Sequence, residues 1–273
     1  MSKHRLAGAA LLLLLTFLLT MGCGAGEGSL KVTVWGEDFV EKKIPADEVK
    51  DGWTIEFKKL LVVFGNVQLK SANGITGPGK SETKLFDLKQ KGPHLFGEWT
   101  TPSATWDAMS YSIIPATGAT TSGNAADTDL AMMKSKGFSI YVEGTATKGK
   151  LTKTFAWGWA TSTTYTECKS KAVVAANGTA TAQLTFHADH FFYDHLESND
   201  ADVRFDAIAN ADSDGDGKIT QKELKAVSGR AFQSLNHYNV GRFSTVDNLN
   251  DFIQTLTRTV GHIDGEGHCN IAS

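Results

Sequence analysis

From Lys31 to about His187 the apolar and polar side chains alternate over short runs. Val32 and Val34, then Trp53, Ile55 and Phe57, fall on every second residue. Phe138, Ile140 and Val142 repeat the spacing, as do Phe155, Trp157 and Trp159, and finally Ala180, Ala182, Leu184 and Phe186. A period of two turns one face of each strand to a core and the other to solvent. Leu61, Val62, Val63 and Phe64 form one unbroken apolar run. Turn signals fall between the runs at Asn73-Gly74, Gly77-Pro78-Gly79, Gly149 and Asn177-Gly178. Short strands punctuated in this way predict a β-sandwich. Residues 116–135, rich in Ala, Thr, Gly and Ser, read as a long exposed loop.

After about residue 195 the period changes. Leu249, Phe252, Ile253, Leu256 and Val260 recur at the spacing of one helix face, with Ser244 or Asp247 to cap it and Gly261 to stop it. Asp202 to Ala211 and Leu224 to Leu235 read as two further helices. The predicted fold class is mainly β with α: a β-sandwich over 31–195, then a C-terminal helical subdomain over 196–273.

The N-terminus sets the compartment. Lys3, His4 and Arg5 precede an almost unbroken apolar run from Leu6 to Leu19. That length fills a signal-peptide core and falls short of the ~20 residues of a membrane-spanning helix. Residues 1–22 therefore read as a leader and 23–30 as a small-residue linker. Thr20-Met21-Gly22-Cys23 resembles the lipobox of bacterial lipoproteins, in which the cysteine is acylated and becomes the mature N-terminus. Gly22 fits that pattern; Leu19 stands one place early and Met21 is larger than usual. The resemblance implies a lipid on Cys23 and a place in the bacterial cell envelope, periplasm or outer membrane. Ordinary signal cleavage nearby would leave Cys23 a plain thiol. The whole chain is 41% hydrophobic and 21% charged, a composition that can build a core. A net charge of -3 without a basic block argues against nucleic acid as a partner. In an oxidising compartment Cys168 and Cys269 remain as an even pair, which predicts a disulfide; the alternative makes Cys269 a soft metal ligand beside His268.

Residues 212–223 read Asp-Ser-Asp-Gly-Asp-Gly-Lys-Ile-Thr-Gln-Lys-Glu. Calcium takes six to eight oxygens, so its site needs several carboxylates converging on one point. Asp212, Asp214 and Asp216 alternate along a loop that turns at Gly217. Lys218 offers its backbone carbonyl, Thr220 its hydroxyl directly or through water, and Glu223 a carboxylate reaching back from the following helix. Ile219 is the apolar position that packs the loop on a neighbour. Every consensus position is filled, and residues 203–232 resemble an EF-hand of the calcium-binding proteins of that family. The family's hands work in pairs, and no second loop is present in this sequence. A lone hand suits a structural clamp, or an intermolecular pair, better than a cooperative sensor. The implied cofactor is calcium.

A second cluster packs His187, Asp189, His190, Asp194 and His195 into nine residues, and His262, Asp264, Glu266 and His268 follow near the C-terminus. Imidazole with carboxylate suits zinc or copper. The spacing matches no diagnostic motif, and the same residues would serve as hydrogen-bonding groups at the joint between sandwich and helices. The stretch Phe57 to Leu69, Lys84-Leu85-Phe86-Asp87-Leu88 and Trp157-Gly158-Trp159 resemble in order the periplasmic copper-binding partners of methanobactin, with no ligand to carry over. The whole chain resembles uncharacterised EF-hand lipoproteins of myxobacteria and their relatives, at Ile44-Pro45-Ala46-Asp47 and at Gly261 to Gly267.

The chain has no nucleophile elbow, phosphate-binding glycine loop, His-Glu-x-x-His or dinucleotide fingerprint, so the sequence does not point to an enzyme. It predicts an exported, lipid-anchored calcium-binding protein with one structural site. The alternatives are a periplasmic copper or zinc binder using His187, His190, His195, His262 and His268, and a cell-envelope adhesion or scaffold protein whose protein partner the sequence does not identify.

Overall fold

The computed structural model describes residues 26–71, 76–198, 200–235 and 237–272. The leader, Cys23 and the Asn73-Gly74 turn signal lie outside the described residues. In chain order the strands are β1 (Glu27–Trp35), β2 (Thr54–Lys70), β3 (Thr76–Asp87), β4 (His94–Pro102), β5 (Ala104–Ile113), β6 (Thr121–Ser122), β7 (Ile140–Lys148), β8 (Leu151–Trp159), β9 (Thr163–Val174), β10 (Thr179–Phe186), β11 (Lys218–Ile219), β12 (Gly261–Ile263) and β13 (Asn270–Ile271). The helices are α1 (Glu37–Glu41), α2 (Asp127–Lys136), α3 (Asp206–Ala209), α4 (Gln221–Ala226), α5 (Gly229–Gln233) and α6 (Leu249–Leu256), with a 3-10 turn at Ala188–Phe192. Strand takes 46% and helix 18% of the described residues, so the fold is mainly β with some helix.

The strands form two sheets. The smaller has the order β12-β10-β1-β4, with β1 parallel to β10 and antiparallel to β4. The larger has the order β11-β8-β7-β2-β5-β9-β13, with β3 added beside β2 and β6 beside β3. Alternation does what it predicts. Leu30, Val32, Val34, Ala182 and Leu184 of the small sheet and Phe57, Phe64, Tyr111 and Trp157 of the large one share a single buried core. The apolar run in β2 has a further cause: Leu60, Val62 and Phe64 enter that core, while Leu61 and Val63 face a second cluster with Leu85 and Met133. The cover over that outer face comes from residues 116–135, expected as an exposed loop. They hold β6 and α2, with Ala116, Ala125 and Met133 buried. The segment gave no helical signal because its apolar residues do not fall in one stripe; the cover is made by Leu130, Met132 and Met133 in near succession.

Two boundaries differ from the sequence reading. The linker drawn over 23–30 ends early, because β1 already begins at Glu27 and Leu30 is fully buried. The segment after 195 supplies β11, β12 and β13 to the two sheets, and its Phe205, Leu224, Phe232 and Phe252 belong to the same core as the sandwich. The helix expected over Asp202–Ala211 shrinks to α3, and that over Leu224–Leu235 divides into α4 and α5. The last helix forms with its apolar face inward: Leu249, Phe252, Ile253 and Leu256 are each at most 1% exposed. Its cap is Asn248, whose side chain accepts from the Asp251 N–H, and it ends at Leu256, well before Gly261, which opens β12. Ser244 and Asp247 play no capping part.

Cys168 on β9 and Cys269 form a disulfide across 101 residues of chain, with their Cα atoms 4.1 Å apart. It fixes β13 beside β9, and it overturns the reading of Cys269 as a metal ligand. Among the described residues, no helix is long and apolar enough to cross a membrane.

Candidate metal centres

The acidic loop is built on the edge of the large sheet. Gly215 and Gly217 take φ of +75° and +80°, conformations that glycine adopts at little cost, and they curl the chain between α3 and β11. Beyond the curl, β11 runs parallel to β8, pairing Lys218 with Thr154 and Ile219 with Phe155. Thr154 N–H donates to the Gly217 carbonyl at 2.8 Å, and Trp157 Nε1 donates to the Ile219 carbonyl at 2.8 Å. Ile219 itself is 1% exposed. The loop thus pairs with a strand of the sandwich.

Thr220 then caps α4, and Glu223 completes a capping box. The same geometry brings the Glu223 carboxylate back over the loop. Its Oε2 accepts from Thr220 N–H at 2.9 Å and from the Thr220 hydroxyl at 2.8 Å, and its Oε1 accepts from Ser213 N–H at 3.0 Å. Carboxylate oxygens of Asp212, Asp214 and Glu223 lie within 4.8 Å of one another. Asp216 stands outside this trio and accepts from its neighbour Lys218 N–H at 2.7 Å. Asp212 Oδ1 accepts from Gly215 N–H at 2.9 Å, and Oδ2 from Gly217 N–H at 3.0 Å and from the Lys153 ammonium. That lysine holds the Asp212 carboxyl below the ordinary range, and hydrogen bonds from Thr220 do the same for Glu223. An all-oxygen set, already converged, fits a hard divalent cation. Lys153 was not foreseen, because only the β8–β11 ladder places it beside the loop.

The histidine cluster is assembled by the small sheet. β10 ends at Phe186, His187 leads into the 3-10 turn that carries His190, and β12 pairs with β10 so that His262 lies opposite Thr185. The His187 and His262 rings stack at 4.1 Å, and His190 meets His262 edge-on at 5.2 Å. One nitrogen from each of the three lies within 4.8 Å of the others, and the residues are only 7–8% exposed. His190 Nδ1 bonds the Thr259 hydroxyl at 2.9 Å, while His187 Nε2 and His262 Nδ1 are buried without a hydrogen-bond partner. Burial pushes His190 and His262 down to about 3, with the neighbouring His187 acting in the same direction, so both are neutral near pH 7 with lone pairs available. Three buried imidazoles gathered in this way fit a zinc or copper ion.

Two carboxylates stand at the rim. Glu37 Oε2 is 3.5 Å from His187 Nε2, and Glu266 Oε2 is 3.9 Å from its Nδ1. Burial raises the Glu37 carboxyl above its ordinary range, with His187 opposing. Glu37 also has φ of +60°, a conformation uncommon outside glycine. Nothing in the local sequence marks it, because it reaches the cluster from the far end of the chain. Two expected ligands do not join. His195 uses Nδ1 to accept from Glu197 N–H at 3.1 Å and bridges to Asn239. His268 is exposed, with its ring 5.5 Å from that of His262 and outside the three-nitrogen group.

Comparison of the chain with known protein families, with curated proteins and with solved structures finds no match.

Proposed function

We propose that this chain is an exported, lipid-anchored calcium-binding protein in which a single EF-hand clamps the C-terminal segment to the sandwich. The observation that carries this reading is the convergence of Asp212, Asp214 and Glu223 in a loop that is itself hydrogen-bonded to β8. Asp216, the Lys218 carbonyl and Thr220 would complete the oxygen set. Bound calcium would offset the mutual repulsion of the four carboxylates and tie α3, β11 and α4 to the sheet edge. The test is Glu223→Gln, which removes one anionic oxygen pair. Calcium affinity should drop at least tenfold, and the Tm gained on adding calcium to the wild type should shrink. A wild-type Tm indifferent to calcium overturns the clamp.

A second reading adds to this one. His187, His190 and His262 gather into one buried group and leave two nitrogens orphaned, which favours a transition-metal site braced by the calcium loop. Elemental analysis of the domain from Gly24 onward, purified from a periplasm without chelators or an affinity tag, decides it. Stoichiometric copper or zinc beside calcium supports the reading, and calcium alone removes it. The adhesion reading gains no comparable observation. Among the described residues the exposed large apolar side chains are Leu95, Leu151, Val173, Leu235 and Ile271, all aliphatic.

A further inference from the structure

Lys153 belongs to neither the twelve-residue loop nor its flanking helices, yet its ammonium bonds Asp212, the first ligand position. It gets there by backbone geometry. Thr154, the next residue on β8, pairs with Lys218 and donates to the Gly217 carbonyl, so the ladder that anchors the loop also fixes Lys153 beside it. The contact is sheltered: the Asp212 side chain is 0% exposed and that of Lys153 is 20% exposed. Asp212 Oδ2 already accepts from Gly217 N–H, so the ammonium fills the second lone pair of that oxygen. The other lysine nearby, Lys218, leans on Asp216 at 3.5 Å with its side chain 71% exposed.

Resting on the calcium reading, we propose that Lys153 is a tethered counter-cation that holds the loop together without calcium and sets its calcium affinity in a weak range. A fixed positive charge on a ligand carboxylate acts in two directions. It lowers the repulsion among Asp212, Asp214, Asp216 and Glu223 when no ion is bound. It also repels a divalent cation from the same point, and in a sheltered contact that repulsion is only partly screened. EF-hand affinity follows ligand charge, and extracellular sites work near 10⁻⁴–10⁻³ M. Lys153 removes one unit of negative charge from the site without altering the consensus loop.

The experiment is calcium titration calorimetry, with thermal unfolding in chelator, on the purified protein and four variants. Lys153→Met should bind calcium roughly tenfold tighter and unfold at a lower temperature without it. Lys153→Gln keeps a hydrogen-bond donor and loses only the charge. It should also bind tighter while keeping more of the metal-free stability, which preserves the test if Lys153→Met does not fold. Lys153→Arg should match the wild type. So should Lys148→Met, which removes a lysine at the end of β7 that pairs with Asp206 outside the loop. Wild type that binds no calcium defeats the calcium reading, and this inference with it. Wild type that binds calcium while both neutral variants bind equally or more weakly overturns the role of Lys153 and leaves the calcium site standing.

Discussion

The acidic loop and the histidine cluster gather their side chains in opposite ways. The loop takes its oxygens from one continuous stretch, at the surface, with charges that backbone N–H groups and one lysine hold in place. The cluster takes its nitrogens from positions 187, 190 and 262, under the rim of the small sheet, and burial holds His190 and His262 neutral. Each arrangement sets its own vulnerability. Charged ligands at a surface depend on a counter-ion for stability, whereas neutral ligands in a core depend on packing. The first region should therefore answer to calcium and the second to whatever disturbs the sheet beneath it.

The largest separation of the two should come from the disulfide. Replacing Cys168 and Cys269 by Ser frees a closed loop of 101 residues and should cost about 4 kcal/mol in urea unfolding. Cys269 lies on the histidine side, so calcium affinity should stay at the wild-type value. An affinity that falls with the disulfide would make the two regions one unit.

Acid gives the next effect. His190 and His262 have native values near 3 against an ordinary 6.5, so below pH 6.5 the unfolded chain binds protons that the native protein refuses. Stability should thus decline as pH falls from 6.5 toward 3, by about 2 kcal/mol per histidine at pH 5. Asp212 and Glu223 have lowered values, and their contribution is lost only at more acid pH, as it falls through those values. In metal-free protein, His262→Asn should make the decline between pH 6.5 and 5 shallower, leaving the His190 contribution, and leave the acid limb intact. An unchanged slope would place the proton uptake elsewhere.

The smallest effect concerns the loop's own curvature. An added Cβ at Gly217 would meet nothing closer than the Thr152 carbonyl at 3.7 Å, so Gly217→Ala tests the +80° φ alone. It should cost about 1 kcal/mol and weaken calcium binding without touching the histidines. Equal calcium affinity would mean that the loop tolerates a different turn.

The same contrast explains what could be read from the chain. The loop was legible because its chemistry is local: alternating aspartates, a glycine, a buried Ile219 and a capping Glu223 each act within a few residues of one another. The alternating runs were legible for the same reason, as were the disulfide partners once only two cysteines remained. The trio of histidines was visible only as two separate groups, because the β10–β12 pairing that joins them is a property of topology. That pairing also selects, admitting His262 and leaving His195 on Glu197. Glu37, Lys153 and the α2 cover were hidden altogether, since each acts across a long sequence separation through a strand that had to be placed first.

The position of β1 carries a mechanical consequence. It begins four residues after Cys23 and lies inside the small sheet, hydrogen-bonded to β10 on one side and β4 on the other. Four residues of extended chain reach at most about 14 Å. A lipid on Cys23 would hold the sandwich against the bilayer on a tether with little slack. Tension along that tether would load β1 in shear, along its length, against two ladders whose bonds must give way together. Such an anchor point would be a strong one, and the neighbouring strand β10 leads straight into His187.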